Sequence, residues 1–305
     1  MKKRAFLFLL VVLSGCGTTQ KETVDTDIRL TSINISSSYK YPDKVLINWD
    51  AIKGVRSYSV WRSTSENADY TEIAASLNVA QCEDRPDAGI QYYYKIKSHF
   101  DFGVMDFSQS SLGYRSLAIT VDDNNLENVI RAQIKKLSGT IFDGELWDIK
   151  EVNYSSGYND DKKVVRLGGI QYCKNVSTIS LPVNQIMDIT PLQSLSKLTK
   201  LTLYLNYISN LSPLQNLTSL EELVLDANNI SSLAPLQFLT NLKRISLVSN
   251  KISDITPLQN LSNLKSLDIR WNNMDLRPES SNKAVIDSLV SNGCEVNYTA
   301  GNIVQ

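Results

Sequence analysis

Side chains able to do chemistry are scarce in this 305-residue chain. There is one histidine, His99, so any Ser-His-Asp or Cys-His nucleophile would have to be built on it. His99 follows Tyr92-x-Tyr94-x-Ile96, an alternation that reads as a strand rather than a catalytic loop. No His/Cys/Asp/Glu set has metal-ligand spacing. Asp101-Phe102-Gly103 repeats a kinase triplet, but no phosphate-binding glycine loop or catalytic loop accompanies it. Asp122-Asp123 would suit a calcium ion or a helix N-terminus, and the helical pattern that follows favours the cap. No catalytic residue, metal or cofactor is expected, and the chain reads as a non-enzyme. Its net charge of -1 supplies no basic field for nucleic acid.

One cysteine has a context that implies chemistry. Met1-Lys2-Lys3-Arg4 is basic, and Ala5 to Leu13 is apolar but too short to span a bilayer. Leu13-Ser14-Gly15-Cys16 follows at once. These residues, in this order and place, resemble the lipobox of a bacterial lipoprotein. The resemblance implies cleavage before Cys16, a diacylglycerol on its thiol and an acyl chain such as palmitate on its new amine. Each buried methylene contributes about 0.8 kcal/mol, so two or three chains anchor stably where one does not. Gly17, not Asp, comes next. In a bacterium with two membranes this resembles cargo sent to the outer membrane, facing the surface or the periplasm. The alternative is an ordinary secretory signal with an accidental cysteine. Cys82, Cys173 and Cys294 lie far apart, and an odd number leaves at least one unpaired. They read as small buried hydrophobes.

The elements that would carry a function divide the chain into 1–15 signal, 16–27 polar tether, 28–117, 118–148, 149–274 and 275–305. In 28–117, Val45-x-Ile47-x-Trp49, Tyr58-x-Val60 and the Tyr92 run alternate at period two between Pro/Gly turns. About seven strands predict an all-β sandwich. Trp49 on the second strand and Gly89-Ile90-Gln91-Tyr92, offering a corner tyrosine, resemble a fibronectin type III domain, here expected to act as a spacer. Leu126 to Leu137 has helical spacing behind Asp122-Asp123-Asn124-Asn125, and Phe142 to Trp147 suggests a further short turn. This segment resembles the helical cap of internalin-like leucine-rich repeat proteins.

Behind a degenerate first repeat at Ile149-x-x-Val152-x-Tyr154, a phrase with Leu or Ile at two alternate positions, as in Ile179-x-Leu181 and Leu201-x-Leu203, recurs every 22 residues and closes at Asn184, Asn206, Asn228, Asn250 and Asn272. A fixed period means stacked coils. The resemblance to leucine-rich repeats implies a solenoid with parallel strands on its concave face and an internal asparagine ladder. Val152 to Ile179 is 27 residues, which predicts an insertion near Tyr158 to Lys163. Pro-Leu pairs with leucines three apart predict 3₁₀ turns on the convex side. Pro278 to Asn292 is expected to be a capping helix with Ala284, Val285, Ser288 and Leu289 inward, followed by a last strand.

Framework positions must repeat, so unequal outward positions are where a partner would be read. The strand columns are Ser180, Thr202, Val224, Ser246, Asp268 and Pro182, Tyr204, Asp226, Val248, Arg270. The column before each asparagine is Val183, Leu205, Ala227, Ser249, Trp271. Tyr204, Leu205, Val224, Asp226, Val248, Arg270 and Trp271 are the candidate contacts for a protein partner in adhesion or recognition, with a glycan as the lesser option. The alternative is an envelope assembly protein with no external ligand.

Overall fold

The computed structural model describes residues 33–298 except 102 and 159. Cys16, the signal segment and the tether lie outside the described residues. Eight strands come first: β1 (Ile35–Ser37), β2 (Val45–Trp49), β3 (Ser57–Ser63), β4 (Thr71–Leu77), β5 (Gln81–Asp84), β6 (Gln91–Phe100), β7 (Gly103–Val104) and β8 (Ser111–Tyr114). They form two antiparallel sheets, β1-β2-β5 and β4-β3-β6-β7, with β8 also on β6. The period-two alternation turns Val45, Ile47 and Trp49 toward Tyr58, Val60, Tyr92, Tyr94 and Ile96 in one buried cluster. Tyr92 lies beneath the Arg62 guanidinium, 4.8 Å away. The neighbouring Tyr94 donates its hydroxyl to Asp84 at 2.8 Å. Arg62 donates to the same carboxylate at 2.9 Å, so one aspartate on β5 pins two strands of the opposite sheet.

Strands β9 (Ala118–Ile119) and β10 (Ile141–Phe142) pair around helix α1 (Asn124–Ile134). Asp123 is its N-cap, accepting from the amides of Asn125 (2.9 Å) and Leu126 (3.1 Å). Its other oxygen accepts from Val165 N at 2.8 Å, tying the helix to the solenoid. The helix stops before Leu137 because Lys135 turns left-handed and its amide bonds back into the last turn. Leu126 and Ile130 close the end of the solenoid core.

The solenoid sheet has seven parallel strands in chain order: β11 (Glu151–Asn153), β12 (Thr178–Ser180), β13 (Lys200–Thr202), β14 (Glu222–Val224), β15 (Arg244–Ser246), β16 (Ser266–Asp268) and β17 (Glu295–Asn297). Registers are unslipped, as in Leu201 opposite Leu223 and Leu223 opposite Ile245. Opposite the strands, 3₁₀ turns at Thr190–Leu192, Ser212–Leu214, Ala234–Leu236 and Thr256–Leu258 each carry proline in the first positions, where its missing N–H is harmless. Helix α2 (Ser281–Ser291) starts later than Pro278, capped by Ser280. Its inward face is Asn282, Val285, Ile286 and Leu289; Ala284 and Ser288 face solvent. Val285, Ile286 and Leu289 recur at the spacing of one helical face, and Asn282 joins them because it completes a polar job described below.

Candidate binding face

Each strand fixes one residue inward, as Leu201 does, a second such as Leu203 follows just past its end, and the chain must then turn into the coil without leaving buried amides unpaired. The asparagine solves this five times. Asn206 accepts from Ile186 N at 3.0 Å and donates to Leu181 O (3.0 Å) and Leu203 O (3.1 Å). Asn228, Asn250 and Asn272 make the same set one coil later each. Asn184 begins the series by accepting from Val164 N at 2.8 Å. All five side chains are buried. Beyond the last repeat, Asn282 on α2 accepts from Ile255 N and donates to Ser253 O, so the cap supplies a further amide of this kind.

The residue before each ladder asparagine is left-handed: Val183, Leu205, Ala227, Ser249 and Trp271 have φ between 51° and 59°. This conformation costs a non-glycine residue on the order of 1 kcal/mol or more, most for β-branched or bulky types. It tips the side chain off the strand alternation toward the strand-end rim. Trp271 is 59% exposed there, and Leu205 is half-buried.

Of the other sequence-selected residues, Tyr204, Val224, Asp226 and Val248 are half-buried and Arg270 is exposed. The two charges are engaged within the face. Asp226 accepts from Ser246 Oγ (2.6 Å) and Val248 N (2.8 Å), which fixes its carboxylate. Arg270 is clasped by Asp268 at 2.7 Å, and that hydrogen-bonded carboxylate raises the guanidinium's pKa. Lys200 and Glu222 pair across neighbouring strands at 3.1 Å. What the face leaves unengaged is mainly apolar and aromatic. Pro182, read as outward, is buried. The insertion folds back there: Ser156 Oγ and Lys163 Nζ both donate to Val183 O.

The ladder also reveals contacts that the strand columns missed. Val164 and Ile186 bond successive asparagines in the same way, so they are equivalent positions in adjacent coils. Their successors Val165 and Met187 therefore stack as neighbours, 45% and 66% exposed. The same column continues as Ser209, Ser231 and Ser253. Tyr207, 53% exposed, joins them through its amide on Ile186 O. Tyr207 stands one position and Met187 three positions beyond a ladder asparagine, so reading those two columns would have found these exposed side chains.

The lone histidine makes no nucleophile. His99 Nε2 is 2.9 Å from Ser59 Oγ, but that hydroxyl is buried and also accepts from Trp61 Nε1. Among the described residues no carboxylate hydrogen-bonds His99, and no cluster of three His/Cys/Asp/Glu could hold a metal. Among the described residues the thiols of Cys82, Cys173 and Cys294 are unpaired, and burial pushes Cys173 up to about 12. No described helix is long and apolar enough to cross a membrane.

The leucine rich repeat family model matches residues 218–274, so that stretch consists of leucine-rich repeats. No curated protein sequence matches the chain. Among solved structures, the chain is similar to an internalin (inlF) from Listeria monocytogenes, 30% identical, over 61% of this chain and 58% of that one, with a TM-score of 0.48. Internalin C2 from the same organism is 28% identical over 61% of this chain and 87% of that one, TM-score 0.45. A Fn3-like protein from Clostridium thermocellum is 26% identical over 28% of this chain and 93% of its own length, TM-score 0.26. The chain thus spans 58% of the first internalin's length.

Proposed function

We propose that the repeat region binds a protein partner through its outward sheet face and strand-end rim, in an envelope protein anchored by lipid at Cys16 and carrying a fibronectin type III-like sandwich. One observation carries the binding reading. Every coil has the same interior and the same ladder bonds, while the outward residues differ from coil to coil and include exposed Tyr207 and Trp271. A framework requires only the first property. Aromatic side chains on an exposed face are frequent anchors of protein interfaces. Because Asp226, Arg270, Lys200 and Glu222 are internally engaged, the partner meets apolar groups first, and a protein surface suits that better than a glycan. The cap-and-repeat layout resembles internalins, which suggests adhesion or recognition at an outer membrane.

Capture by the full chain from cell or envelope extracts tests this. Tyr204→Ala with Trp271→Asn removes both rings, and asparagine tolerates the left-handed backbone, so the fold is spared. The captured protein should be lost while the melting temperature is kept; retention of both sinks the reading. Cys16→Ser should move the chain from the membrane to the soluble fraction. The second reading, an envelope assembly protein, predicts that intact cells protect the chain from added protease.

A further inference from the structure

The sandwich and the N-terminal cap meet around one tryptophan. Trp147, in the 3₁₀ turn Asp143–Asp148, stacks on Tyr39 at 5.1 Å and lies 4.7 Å from the Tyr114 ring of β8. Lys174, from the solenoid, sits over the Trp147 ring at 4.7 Å. Carboxylates at both ends of the turn reach into the sandwich side. Buried Asp143 accepts from Tyr114 OH (2.6 Å) and Leu117 N (2.9 Å), and Asp148 accepts from Tyr39 OH and Lys40 Nζ. The connecting residues are tied as well: Ser116 N donates to Tyr41 O, and Asp143 N to Leu117 O, each at 2.9 Å.

Backbones approach as closely as side chains. A Cβ on Gly144 would fall 1.7 Å from Tyr39 O and 2.2 Å from Ser116 Oγ. Gly144 has no left-handed φ, so glycine is required here by the neighbouring sandwich loop and not by its own turn. A 3₁₀ turn this short takes its order from what it packs against.

We propose that the sandwich is the outer layer of the solenoid's N-terminal cap: the Trp147 latch makes sandwich and cap one cooperative unit, a rigid arm rather than a hinged spacer. Ordinary interdomain contacts leave the domains free to move unless the interface is well packed. Here stacked rings, a buried carboxylate and a glycine-only backbone contact converge on six residues. The inference does not depend on what the sheet face binds.

Calorimetry of the full chain, with limited trypsin digestion, tests it using Gly144→Ala. The unaltered chain should melt without a separate sandwich transition. In the variant a separate transition should appear, the cap component should fall by about 5 °C or more, and cleavage after Arg115 should speed up about tenfold, in step with the open population. An unchanged melt and cleavage pattern overturns the proposal, as do two separate transitions in the unaltered chain. If Gly144→Ala does not accumulate folded, Tyr39→Ala decides. It removes the stack and the Asp148 bond from the sandwich side alone, and unchanged melting and cleavage in that variant also overturn the proposal.

Discussion

In the repeats the ladder amides find partners on both sides of the coil, whereas in the sandwich Trp49 Nε1 and Ser98 Oγ are buried with no hydrogen-bond partner among the described residues. At the junction Arg115 Nε and Trp147 Nε1 are in the same position. The solenoid meets one accounting problem, the turn after each strand, and applies one solution in every coil. The sandwich meets a different problem at each site and answers with fitted pieces such as the Arg62–Asp84–Tyr94 set. Both regions have an apolar core, but the solenoid adds a periodic hydrogen-bond series to it and the sandwich adds individually fitted polar contacts.

The largest expected break in this contrast is Asn228→Leu. It leaves Ile208 N–H and the carbonyls of Leu203 and Leu225 without their side-chain partner, and urea unfolding should register a loss of about 3–5 kcal/mol. A loss below about 1 kcal/mol would mean that water takes over the ladder. Alkaline titration gives the next effect. Burial raises Cys173 from 9.0 to about 12, so the folded chain holds that proton longer than the unfolded one. The associated stability is full below pH 9.0 and disappears as pH rises toward about 12, and Cys173→Ala should flatten that part of the pH–melting curve. At the junction, burial first and the Asp148 bond second raise Tyr39 from 10.0 to about 12, with the same sign over pH 10.0 to 12. Trp49→Phe should cost less than about 1 kcal/mol, because the lost volume is offset by removal of an unpaired donor; a large loss would show the indole N–H to be satisfied in solution. The smallest effect is a gain. Ser249→Gly places the residue best suited to φ 56° on an exposed site and should add about 0.5 kcal/mol in the same urea titration.

The repeats were readable because a 22-residue period constrains every coil at once. Strand phase and the 3₁₀ backs follow from the spacing of leucines and prolines, and the inward asparagines from the resemblance to leucine-rich repeats. The face was only half readable. Asp226 looks free until Ser246, on the next coil, is brought to it, and Pro182 looks exposed until the insertion folds over it. The left-handed column was hidden because valine and tryptophan disfavour that backbone, so local propensity pointed away from it. Nor does any short-range pattern announce the junction, where Tyr39 meets Asp148 across 109 positions. The start of α2 was misjudged because Pro278 suits a first turn, while the cap bond that sets the boundary belongs to Ser280.

The left-handed turn before each asparagine also bears on how such a surface changes over generations. Glycine or asparagine is the relaxed occupant of these sites, so substitution without selection should drift toward small residues there. Trp271, among the least comfortable occupants, sits at the end of the array with its ring in solvent. Sequencing survivors of random mutagenesis would separate two pressures: selection for folding alone should replace it readily, and selection for capture of the partner should retain it.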